Sequence, residues 1–114
     1  MARDLALETW LRAALSGERA VTEKAMFGGL AWLIGGHLTC AARADGMLAR
    51  VGPERNGWAL ARPGVAPMIM RDRPLDGWVR AGPDADAATR RELLDAALAF
   101  VHALPAKPGG ATRR

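Results

Sequence analysis

The chain has 114 residues, half of them hydrophobic and a quarter charged, which is the composition of one globular domain with a real core. Its single cysteine excludes an internal disulfide and points to a reducing compartment. The formal charge of +4 and pI near 10.5 raise nucleic acid as a partner, yet setting aside Lys107, Arg113 and Arg114 leaves 13 basic against 12 acidic residues.

Taken in order, Met1 to Asp4 has no apolar stretch behind it, because Glu8 and Arg12 interrupt the apolar residues. No secretory leader is expected, and the protein is placed in the cytoplasm. Asp4 to Ser16 reads as an amphipathic helix, with Leu7, Trp10, Leu11, Ala14 and Leu15 forming one stripe. Asp4 is its expected cap, Gly17 its left-handed stop, and Glu8 with Arg12 an outward ion pair. Val21 to Ala25 is a first strand.

Between Lys24 and Arg43 lie eighteen residues without formal charge. That length touches the membrane-helix threshold, but Gly28-Gly29 and Gly35-Gly36 break any helix. Leu30, Trp32 and Ile34 alternate before the second glycine pair, and Leu38 and Cys40 alternate after it. A buried β-hairpin is expected, with no membrane span. A bulge or bend is expected at Gly28-Gly29, and Asp45-Gly46 signals a further turn before a strand over Met47 to Val51.

Gly52-Pro53-Glu54 opens a short helix that ends before Pro63-Gly64. Pro67 to Met70 and Gly77 to Ala81 are candidate strands around the charged turn Arg71-Asp72-Arg73-Pro74. Thr89 to Glu92 reads as a capping box opening the last helix, whose apolar face holds Leu93, Leu94, Ala97, Leu98, Val101 and Leu104. The folded body is therefore expected over 1–104 and a disordered basic tail over 105–114. The fold class is α+β: two layers, an antiparallel sheet of about five or six strands, and helices mainly on one face.

The search for chemistry returns little. His37 and Cys40 are three apart on one strand, so simple alternation turns them to opposite faces and no metal site is expected. Cys40 reads as a small buried hydrophobe rather than a nucleophile. The glycine pairs lack the Lys-Ser/Thr and the strand–turn–helix setting of a phosphate loop. Nothing assembles a nucleophile, base and oxyanion hole, so no catalytic residue, no cofactor and no enzyme activity is expected. Trp10, Trp32, Trp58 and Trp78 read as core first and as base-stacking platforms second.

Met26-Phe27-Gly28-Gly29, Gly36, Asp45-Gly46 and Arg50-Val51-Gly52-Pro53-Glu54 together resemble the N-terminal domain of the TfoX/Sxy family. Arg62-Pro63-Gly64, Pro67-Met68, Pro74-Leu75, Gly77 with Trp78, and Ala97-Leu98-Ala99-Phe100 continue the resemblance through the second half. Relatives often carry Tyr or Phe where Trp78 stands. The resemblance implies a compact two-layer domain, similar to secretion-chaperone-like domains. It also implies a link to bacterial natural competence, as a coactivator working with a cyclic-AMP receptor protein-type transcription factor. Longer members carry a second, helical domain.

On that footing the leading expectation is a non-enzymatic regulatory or adaptor domain acting through protein contacts, with homodimerisation left open. Met26, Phe27, Gly28, Gly29, Arg50 and Trp78 are its candidate interaction residues. Two alternatives stand beside it: a nucleic-acid accessory using Lys107, Arg113 and Arg114, and a small-molecule-binding domain.

Overall fold

Four two-residue turns organise the chain, and three of them hold both central residues in the left-handed region. These are Phe27-Gly28 (φ +59° and +76°), Gly35-Gly36 (+60° and +85°) and Arg71-Asp72 (+53° and +65°). Such turns match the right-handed twist of the strands they join. The structure, a computed structural model, describes residues 3–105. Helix α1 (Leu5–Ala14) precedes strands β1 (Val21–Met26), β2 (Gly29–Ile34), β3 (His37–Arg43) and β4 (Gly46–Arg50). A 3-10 turn (Pro53–Arg55) runs into α2 (Asn56–Leu60), followed by β5 (Val65–Met70), β6 (Arg73–Ala81) and α3 (Ala87–His102). The strands form one antiparallel sheet in the order β1-β2-β3-β4-β6-β5. The α+β reading with a six-stranded sheet holds.

The main core lies between the sheet and the helices α1 and α3. Trp32, Cys40, Ala49 and Val79 are successive cross-strand partners over β2, β3, β4 and β6, and all four are fully buried. Leu7, Leu11 and Leu15 cover this row from the first helix, and Leu93, Leu94, Ala97 and Val101 from the last. The small side chains in the row leave room for the indole and the leucines.

A second, smaller cluster forms on the opposite face. Ala31, Ala41, Leu48, Met68 and Trp78 are buried there, with Met26, Phe27, Leu38 and Leu75 packed against them. The Phe27 ring meets the Trp78 ring edge-on at 5.9 Å between centroids. Strands β2 and β6 are three spacings apart, about 14 Å in a flat sheet. The two side chains reach toward each other over β3 and β4, and this face carries a concavity beside them.

Several local expectations are corrected. Glu8 is buried and takes both Nε (2.8 Å) and Nη2 (2.7 Å) of Arg3, while Arg12 reaches across to Glu23 instead. Helix α1 closes at Leu15 rather than through a left-handed Gly17. The last helix starts earlier than the capping box suggests: Asp86 is the cap, accepting from the Thr89 amide at 2.8 Å, and Thr89 is buried. Strands β5 and β6 extend to either side of the two-residue Arg71-Asp72 turn, so Arg73 and Pro74 belong to β6. In β3 the register slips by one residue, since Leu38 pairs with Leu33 but Cys40 pairs with Trp32. Alternation thus fails to separate His37 from Cys40; burial separates them instead.

The Glu8 site gives a pH prediction. Its carboxylate is covered by one arginine at the rim rather than sunk deep, so the Arg3 hydrogen bonds outweigh the burial that opposes them. The Glu8 carboxyl is held below its ordinary value of 4.5. A depressed carboxylate adds stability that is fully present above the unfolded pKa and lost as pH falls through the folded one. Glu8→Gln is expected to lower the thermal midpoint at neutral pH and to flatten its decline on acidification below about pH 5. Parallel melting series for the parent and Glu8→Gln, from neutral pH downward, check this.

Candidate functional site

The concave face opens into a cleft of about 570 Å³. Its apolar lining comes from Met26 on β1, Leu33 on β2, Leu38 on β3 and Trp78 on β6, with Leu104 beside them. Lys24, His37 and Arg50 supply the polar lining, and no carboxylate joins them. Strand periodicity accounts for much of this: Lys24 and Met26 are two apart on β1, and Arg50 and Trp78 are direct partners across β4 and β6.

Each polar group is held differently. Arg50 Nη1 donates to the Leu38 carbonyl at 3.4 Å, and its guanidinium lies 5.2 Å from the Phe100 ring centroid on α3. Most of its five donors remain available. His37 Nε2–H donates to the Pro105 carbonyl at 2.7 Å, which ties the end of the α3 segment to the β2–β3 turn. Lys24 is exposed. Among the described residues neither Lys24 nor Arg50 forms an ion pair, whereas Arg12, Arg43, Arg62, Arg80 and Arg91 all do.

The six interaction candidates from the sequence fall into two groups. Met26, Arg50 and Trp78 line the cleft directly. Phe27, Gly28 and Gly29 shape its approach. Phe27 is half-buried at φ +59°, a region bulky residues rarely adopt, and it braces Trp78. A side chain on Gly29 would collide with the Ala42 carbonyl oxygen of β3, because its Cβ would lie 2.0 Å away. Lys107, Arg113 and Arg114 lie outside the described residues. Lys24, His37 and Leu104, which also border the cleft, were missed. The Lys24–Met26 spacing was a legible signal for the first, whereas no pattern places Leu104 beside β1.

Two other features have their polar groups already engaged. A cleft of about 350 Å³ beside α1 includes Asp4, which accepts from the Leu7 amide, and Arg90, stacked 5.2 Å from the Trp10 ring centroid. Trp58 lies under Arg55 and Arg62. The four tryptophans therefore share no common face, which removes a joint stacking platform. Burial pushes the Cys40 thiol up to about 12, so it holds its proton and is no nucleophile at neutral pH. Among the described residues no group of three His, Cys, Asp or Glu stands ready for a metal, and no helix is long and apolar enough to cross a membrane.

The class defined by these features is an α+β domain with a helical layer on one side of the sheet and an open, cation-lined cleft on the other. The model of the TfoX N-terminal domain matches residues 13–101, most of the chain. The protein belongs to the TfoX N-terminal domain family. No curated protein and no solved structure matches it.

Proposed function

We propose that this domain is a regulatory adaptor that works through protein contacts at its concave face. One observation carries the reading: Met26, Arg50 and Trp78, distant in sequence, open onto one cleft of mixed apolar and polar lining that neither α1 nor α3 covers. Apolar side chains beside a few convergent polar groups are the common make-up of a recognition site. Family membership supports a role beside transcription factors, and a cyclic-AMP receptor protein-type factor is the proposed partner.

The test is a binding titration of the purified chain against that factor, with Met26→Glu and Arg50→Gln in the cleft and Arg91→Glu on the helical face. Both cleft variants are expected to weaken the complex about tenfold or more beyond what their measured melting midpoints explain, and Arg91→Glu is expected to leave it intact. A complex indifferent to both cleft variants would remove the concave face from the role.

A further inference from the structure

The sheet has two edges, and they are built differently. Strand β5 carries Pro67, which cannot donate a ladder hydrogen bond, and its register slips between Pro67 and Ile69. Proline and bulges are the usual means of blocking an edge. Strand β1 has neither: its six residues pair with β2 in unbroken register. Among the described residues nothing pairs with its outer side, and Thr22 to Ala25 are exposed.

The faces of β1 differ as well. On the helix side Glu23 is already engaged, by Arg12 and by Trp32 Nε1–H at 3.2 Å. On the concave side Lys24 and Met26 point toward the cleft that Arg50 and His37 also line. A strand laid against β1 would send alternate side chains into that cleft, beside a lysine, then a methionine.

Charge decides what the strand can be. A second copy pairing antiparallel through β1 keeps like faces together, so residues opposite one another have the same parity. The two registers of greatest overlap set Glu23 against Glu23 or Lys24 against Lys24 of the other copy, and like charges directly opposite are destabilising. The chain's own C-terminal segment fits no better, since Lys107, Arg113 and Arg114 add cations and Ala106 to Arg114 holds no acid.

We propose that β1 accepts an extended, acidic segment of a partner protein as a seventh strand. A carboxylate sits opposite Lys24 within reach of the field of Arg50, and an apolar side chain two residues along packs on Met26. Main-chain bonds along β1 give affinity, and the cation-lined cleft selects acid over base. The inference rests on the adaptor reading above and names the chemistry of its partner.

The probes are three capped peptides of about six residues, with threonine at every other position and, on the other face, valine, then aspartate, lysine or threonine, then valine. Titration calorimetry is paired with amide hydrogen exchange on the full chain. The aspartate peptide is expected to bind, to weaken with added salt, and to protect the β1 amides that do not bond β2. Lys24→Glu is expected to weaken it about tenfold or more and to transfer preference to the lysine peptide. Equal binding of all three peptides, protection at β5, or an unchanged preference in Lys24→Glu would overturn the proposal. So would concentration-dependent protection of β1 in the chain alone, which would make a second copy the occupant. If no peptide binds while the intact transcription factor still binds and is lost in Met26→Glu, strand addition fails and the adaptor reading stands. If the factor does not bind either, both fail.

Discussion

Gly29→Ala is expected to cost about 3 kcal/mol or more in chemical denaturation, while Gly28→Ala, one residue earlier, costs only about 1–2 kcal/mol. The two glycines do different work. Gly28 holds φ +76° with no atom within 4 Å of a would-be Cβ, so only the left-handed penalty applies. That penalty is about 1–2 kcal/mol for an L-residue. At Gly29 the new carbon would stand 2.0 Å from the Ala42 oxygen and 3.2 Å from the Arg43 Cα. Those are backbone atoms of the paired strand, so β3 itself would have to move. Against a total of about 5–15 kcal/mol for a small domain, the loss is large. Both variants should keep the parent's denaturant slope. Equal losses at the two positions would mean that the β2–β3 spacing yields, and that close approach is not what the motif protects.

The architecture was legible wherever local chemistry and burial agree. Alternation across Leu30 to Cys40 around Gly35-Gly36 gave the central hairpin, because a one-residue slip would turn every apolar side chain outward. It was less legible where two residues compete for one job. Thr89 and Glu92 look like a capping box, yet Asp86 stands three residues ahead of Thr89 and takes its amide. Glu8 and Arg12 have the spacing of a surface pair, but partners distant in sequence, Glu23 for Arg12, and an earlier one, Arg3 for Glu8, offer bidentate geometry instead.

The cleft was half legible. The family resemblance singled out Met26, Arg50 and Trp78, and periodicity puts Arg50 and Trp78 on strands, but neither says that β1 and β6 share a concavity. That follows from strand order and from long-range contacts such as Phe27–Trp78, neither of which local pattern encodes. Lys24 escaped notice because a lone lysine on a strand usually reads as solvated. Its meaning depends on lying at an edge that carries no proline, and edge position is a property of strand order.

Trp32→Ala is expected to lose about 3–5 kcal/mol, the largest loss among the tryptophans. The indole is fully enclosed between the sheet and the helical layer, with Cys40 beside it in the cross-strand row. Its Nε1–H also donates to Glu23, whose carboxyl is held below its ordinary value, first by Arg12 and secondarily by this N–H. Trp32→Phe should recover most of the stability, because Glu23 keeps Arg12 when the indole donor is gone. Trp78, by contrast, is 8% exposed and forms a wall of the cleft. Trp78→Ala should therefore weaken partner binding beyond what its own stability loss explains. Trp32→Ala should affect binding only through the unfolded fraction, so that titrations corrected by the measured midpoint return the parent affinity. A Trp32→Ala chain that melts like the parent but releases its partner would put recognition on the helical face and overturn the assignment of the two sides of the sheet.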